Sequence, residues 1–90
     1  MHRVFELIVT SLMPSLRHLA SDRTVDQVRG AQRAIWMSYT GLVNEADRQR
    51  FRDELRRRAI EEENKAGPVQ EKLFWRDVAQ YVSTSLEPKG

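Results

Sequence analysis

The sequence predicts an all-α fold, a compact four-helix bundle whose N-terminal helix is kinked at Pro14. Apolar residues recur with a period near 3.6 in four segments, as expected for helices with one buried face. Capping and turn residues separate these segments. No repeat, low-complexity tract or long linker divides the chain. Because ninety residues support one hydrophobic core, we expect a single helical domain over residues 1–90.

The first helix is predicted from about His2 to Ala20. Its apolar face continues in phase across Pro14 and comprises Val4, Phe5, Ile8, Val9, Leu12, Leu16 and Leu19. This continuity favours one kinked helix over two separate ones, with the bend near Thr10, where the proline cannot donate a hydrogen bond. A short strand at residues 5–9 is the alternative, because β-branched residues cluster there.

The second helix begins at a predicted capping box, Thr24 with Gln27, and ends near Gly41. Its bulky face comprises Val25, Val28, Ile35, Trp36, Tyr39, Leu42 and Val43. A stripe on the opposite side, mostly of small residues, comprises Gly30, Ala34, Met37 and Gly41. The stripe permits close approach of another helix, within the bundle or across a homodimer; alternatively, Gly30 is a tolerated surface glycine. Gln32 interrupts the bulky face. It either lies at the edge of an interface or fixes the helix register by hydrogen bonding.

The third helix is predicted from an N-cap at Asn44 to about Lys65. An Ala-Gly-Pro turn follows, in which Gly67 is expected to cap the third helix and Pro68 to take the first position of the fourth. The fourth helix runs to about Ser85, and its buried face comprises Phe74, Trp75, Val78, Tyr81, Val82 and Leu86.

Composition excludes several classes of function. The absence of cysteine removes disulfides, thiolate metal sites and cysteine nucleophiles, and it suits a reducing compartment, so a cytoplasmic location is expected. The longest apolar run is short and contains Glu6, so we expect no membrane span. The N-terminus lacks the features of a signal peptide. A net charge of +2 gives no strongly basic field over the whole protein.

Six of the twelve arginines lie within eleven residues of the third helix: Arg48, Arg50, Arg52, Arg56, Arg57 and Arg58. A basic helix is typical of nucleic-acid-binding proteins. From Glu45 to Glu63, however, seven acidic residues accompany the six arginines, which gives this segment a net charge of 6 − 7 = −1. A solvated helix face with local ion pairs is therefore favoured, and nucleic-acid binding is kept as the alternative.

Arg52 is the only arginine of this run without an acidic residue three or four positions away. We therefore expect it to pair outside its own helix, with a carboxylate of another helix, a partner protein or a phosphate. Arg17, Arg33 and Arg76 also lack a local acidic neighbour. All four could converge on one anionic site, as an arginine-based enzyme would need, or be independent surface residues. The sequence does not decide between these alternatives.

No catalytic constellation, phosphate-binding loop or metal-ligand spacing is recognisable, and neither His2 nor His18 has a second ligand nearby. Several apolar residues lie off their helices' main faces, which leaves room for an exposed apolar patch and a partner: Leu7, Ile60, Val69 and Leu73. The sequence thus predicts a non-enzymatic adaptor, inhibitor or accessory subunit without a cofactor or metal. Another protein is the expected partner, with a homodimer also considered, and the expected partner-binding residues are Arg33, Met37, Arg52, Arg56 and Ile60.

Overall fold

The computed structural model describes residues 4–21 and 24–86. This part of the chain forms four helices and no strand: α1 (Val4–Ala20), α2 (Val25–Thr40), α3 (Glu45–Lys65) and α4 (Val69–Ser85). The prediction of an all-α four-helix fold is confirmed. Residues 5–9 are helical, which rules out the alternative of a strand there. The predicted start of the first helix at His2 lies outside the described residues.

Helices α3 and α4 form the most extensive pair of the bundle. They are antiparallel, because Arg56 of α3 contacts Ser83 near the end of α4, whereas Glu63 contacts Arg76 in its first half. Helix α1 packs against both α2 and α3, and α4 packs along α2. Helices α2 and α3 therefore lie on a diagonal of the bundle, although only the four-residue segment 41–44 connects them.

The interior is formed mainly by residues that share the predicted helix faces, together with Met13 and several alanines. Four residues predicted to be in the core are exposed instead. Val25 begins its helix, where few neighbours can cover it, Val43 lies in the connection after α2, and Val4 is the first residue described. Trp36 follows the buried Ile35 directly and is thus turned by about 100° from the core.

The helix caps agree with the sequence in part. Thr24 accepts a hydrogen bond from the Gln27 amide at 3.2 Å, which is one half of the predicted capping box. The reciprocal half is missing, because the buried Gln27 Oε1 accepts no hydrogen bond. The prediction that Gly67 caps α3 is wrong. The chain turns to an extended conformation already at Ala66, so no left-handed glycine is needed, and Pro68 precedes α4 as its N-cap.

The small stripe of α2 faces α1. A Cβ atom on Gly30 would lie 3.9 Å from Leu19 Cδ1 of α1, and Ala34 packs against the core. At Gly30 the stripe therefore contacts a side chain of α1, within the bundle. Met37, which shares the stripe, is exposed. Pro14 lies on the exposed side of α1.

Candidate interaction surface

The expected partner-binding residues lie at three separate places. Arg33 and Met37 are exposed one turn apart on α2. Arg56 and Ile60 lie one turn apart on α3, the helix diagonal to α2, where Arg56 is half-buried and Ile60 is exposed. Arg52 is fully buried, with 0 % of its surface exposed. The structure thus brings together two pairs of these residues on different sides of the bundle and places the fifth in the interior.

Arg52 joins three helices at one end of the bundle. Its Nη1 atom donates hydrogen bonds to the Tyr39 hydroxyl at 2.8 Å and to the Leu86 carbonyl at 3.4 Å. Its Nη2 atom donates to Gln49 Oε1 at 2.7 Å and to Glu45 Oε1 at 3.4 Å. The Tyr39 hydroxyl in turn donates to the Leu86 carbonyl at 3.1 Å. Arg52 therefore holds the end of α2 and the residue that follows α4 against α3.

The expectation that Arg52 pairs with a carboxylate outside its own helix needs correction, because the described carboxylate beside it, Glu45, belongs to α3 itself. Glu45 lies seven residues, or two helical turns, before Arg52. Local pairing on a helix is expected for residues three or four positions apart, so the sequence does not predict this contact. Glu45 also lies three residues before Arg48, but no ion pair joins these two residues. In the structure Arg48 Nε donates to the Leu42 carbonyl at 2.6 Å, and its guanidinium lies 5.3 Å from the centre of the Tyr39 ring. Arg48 thereby stabilises the connection between α2 and α3.

The exposed arginines of α3 are neutralised largely within their own helix. Arg57 contacts Glu54 at 2.7 Å and also pairs with Glu61, and Arg58 contacts Glu54 at 2.6 Å. The hydrogen bond from Arg57 lowers the pKa of the Glu54 carboxyl below its usual value; burial opposes this effect, and Arg58 reinforces it. Arg56 lies 3.8 Å from Asp53. Arg56, Arg57 and Arg58 thus have carboxylate partners on α3, whereas the exposed Arg50 forms no ion pair with a described residue.

The four arginines without local acidic neighbours do not converge. Arg17 pairs with Glu62 at 2.5 Å, whereas Arg76 pairs with Glu63 at 2.9 Å. Both pairs lie at the C-terminal end of α3, about 15 Å along the helix from the buried Arg52. The fourth, Arg33, is exposed on α2. These positions do not form the single arginine-lined pocket that the enzyme alternative requires.

A different surface stands out by its lack of charge. Residues 7–16 of α1 and residues 34–44, from α2 into the following connection, contain no charged side chain. In contrast, 14 of the 21 residues of α3 are charged. The two uncharged segments are neighbours, since α1 and α2 pack against each other in antiparallel orientation. We refer to the outward surface that carries Val4, Leu7, Ser11 and Met37 as the α1/α2 face.

Large apolar side chains protrude from the α1/α2 face. Leu7 is 65 % exposed and Met37 is 67 % exposed. Met37 follows Gly30 by two helical turns and therefore lies on the flank of α2 that approaches α1. Between the helices runs a groove of about 340 Å³, lined by Val4, Leu7, Ile8, Ser11, Leu12, Ser15 and Ser38. Protruding apolar side chains beside an uncharged groove are typical of a protein-binding surface.

The sequence indicates this face only in part. It predicts that Leu7 lies off the core face of its helix and that Met37 binds a partner. Val4 was expected in the core, and the groove was not foreseen because it depends on how α1 and α2 pack. The two uncharged segments are the signal in the sequence that could have indicated it.

Other clefts lie elsewhere on the described surface. One lies between α2 and α4 and is lined by Gln32, Asp77 and Val28 among others. Another is a polar cleft of about 330 Å³ lined by Arg17, Ala20, Glu62, Lys65, Ala66, Glu71 and Trp75. Its arginine and Glu62 already neutralise each other. Neither cleft combines exposed apolar side chains with a lack of charge as the α1/α2 face does.

Comparison with protein-family models, with curated proteins and with solved structures gives no match. Within residues 4–21 and 24–86, no group of side chains is suited to hold a metal ion. None of the helices described is long and apolar enough to cross a membrane.

Proposed function

We propose that this protein is a small non-enzymatic interaction module that binds another protein through the α1/α2 face. The observation that carries the proposal is the coincidence of protruding Leu7 and Met37 with a groove free of charged side chains. An adaptor, an inhibitor and an accessory subunit would all act through such a surface.

The energetics of burial support this assignment. Fully burying a leucine or methionine side chain contributes roughly 1.5–3 kcal/mol. Covering the α1/α2 face requires no desolvation of a charged group at its centre, a step that opposes binding at charged surfaces. Arg33, one turn before Met37, lies at the margin, where a charged side chain adds selectivity more than affinity.

The alternative function is nucleic-acid binding through the arginine-rich α3. In support of it, Arg57 is exposed and lies near other arginines. Against it, Arg57 already pairs with Glu54 and Glu61, so a phosphate would have to displace two carboxylates. Binding of this kind weakens steeply with salt, because it depends on the release of counterions.

Co-purification from a native extract tests both functions when it is done with matched variants. Leu7→Arg introduces a charge into the α1/α2 face, whereas Val69→Arg introduces the same charge at an equally exposed valine (66 %) at the start of α4. We expect a protein partner to be retained by the wild type and by Val69→Arg but lost from Leu7→Arg. Recovery of nucleic acid alone, released by salt and unaffected by Leu7→Arg, contradicts the proposal and supports the alternative.

A further inference from the structure

We infer that the α1/α2 face binds a second copy of this chain, as a dimer with a two-fold axis near Ser11. The inference rests on the proposed function of this face and specifies its partner. In a two-fold dimer each copy contributes the same patch, so the patch has to be complementary to itself in shape and in charge.

The shape of the face meets this requirement. Leu7 protrudes at the margin of the groove formed by α1 and Ser38 of α2. After a two-fold rotation about an axis near the middle of the face, Leu7 of each copy approaches the groove of the other. The small side chains of Ser11 and Ser15 leave room for such an approach.

The charge distribution also favours a second copy. When two identical surfaces meet, any charge near the axis faces an identical charge, and such like-charge contacts cost several kcal/mol. Residues 7–16 and 34–44 contain no charged side chain, so the centre of the dimer has no repulsion of this kind. On α3, by comparison, the same pairing would bring dense clusters of charge together.

The available area is sufficient for a weak dimer. A helix of 17 residues is about 25 Å long, and two helices side by side are about 20 Å wide, which gives roughly 500 Å² for each copy. The total of about 1,000 Å² is at the lower limit for a specific interface. We therefore expect a reversible dimer with a Kd between about 1 µM and 1 mM.

Sedimentation equilibrium up to about 1 mM protein tests the inference. The mass of the wild type should rise with concentration from 10.5 kDa towards twice that value. Leu7→Arg should raise the Kd by about tenfold or more, while Val69→Arg should leave it unchanged. Circular dichroism confirms that both variants are folded. A wild type that stays monomeric throughout, or a dimer that persists equally in Leu7→Arg, overturns the inference.

Cross-linking locates the interface directly, because the chain has no cysteine of its own. Under mild oxidation, Ser11→Cys should form a covalent dimer faster than Gln80→Cys, whose exposed site lies on α4. Equal rates for the two variants contradict a two-fold axis at the α1/α2 face.

Failure of the dimer can be distinguished from failure of the proposed function. A monomeric wild type that captures a different protein, and loses it with Leu7→Arg, refutes the dimer but retains the interaction module. A monomer whose capture of other proteins is equal in Leu7→Arg and Val69→Arg refutes both.

Discussion

The buried guanidinium of Arg52 donates a hydrogen bond of 2.8 Å to the hydroxyl of Tyr39, thirteen residues earlier in the chain. This contact joins α2 and α3, which otherwise lie on a diagonal and pack little against each other. Since the same hydroxyl donates to the Leu86 carbonyl, the end of α4 is joined to the same point. Through these hydrogen bonds the Arg52 side chain connects α3 with the end of α2 and with the residue that follows α4.

Tyr39→Phe should lower the free energy of unfolding by about 1.5–3 kcal/mol, the usual contribution of a hydrogen bond to a charged group. Tyr81→Phe is the matched control, because the Tyr81 hydroxyl makes no hydrogen bond to a described residue. We expect it to cost less than about 0.5 kcal/mol. Urea denaturation measures both values, and equal losses in the two variants would show that the Arg52–Tyr39 contact contributes nothing.

The size and the hydrogen bonds of the Arg52 side chain should both contribute to stability. Arg52→Ala removes a fully buried side chain and leaves a cavity, so we expect a loss of about 3–5 kcal/mol. Arg52→Met retains most of the volume but loses the hydrogen bonds to Tyr39 and to the Leu86 carbonyl. We therefore expect it to cost less than Arg52→Ala but at least as much as Tyr39→Phe. Equal destabilisation of Arg52→Ala and Arg52→Met in thermal or urea unfolding would show that the buried volume of this side chain does not contribute.

Gly30→Ala should stabilise the protein by about 0.5–1 kcal/mol. The alanine gains helix propensity, and its Cβ would lie at an ordinary contact distance of 3.9 Å from Leu19. Gly30→Phe should instead cost about 1–3 kcal/mol, because a large side chain would force α1 away from α2. If Gly30→Phe is tolerated as well as Gly30→Ala, the two helices do not approach closely at this position.

Acid should destabilise the protein partly through Glu54. Because Arg57 holds the pKa of this carboxyl below its unfolded value near 4.5, the folded state favours the carboxylate. Its contribution is present above that pH and is lost as the pH falls through 4.5 towards the lower folded value. The Glu54→Gln variant should therefore lose less stability than the wild type between pH 6 and pH 3.

Glu71→Gln is the control for this measurement, since Glu71 forms no ion pair with a described residue. Between pH 6 and pH 3, Glu71→Gln should lose about as much stability towards urea unfolding as the wild type does. A Glu54→Gln variant with the same acid dependence as the wild type would mean that other carboxylates account for it.

The periodic pattern of apolar residues was sufficient to predict the four helices, and their ends agree with the structure within about two residues where the chain is described. Periodicity could not predict which helices become neighbours. The arrangement of neighbouring helices determines that Trp36 is exposed and that Arg52 has partners on α2 and after α4. The groove of the α1/α2 face depends on the same arrangement, because its lining comes from two helices.

The most direct test of the binding surface is an NMR titration of the isotopically labelled protein, followed residue by residue with increasing protein concentration and then with any captured partner. We predict that chemical-shift changes and line broadening concentrate at Leu7, Ser11 and Met37, while Val69 and Ile60 remain unaffected. Changes that cluster instead on the arginines of α3, or an absence of change on α1 and α2 during binding, would contradict the assignment of the α1/α2 face.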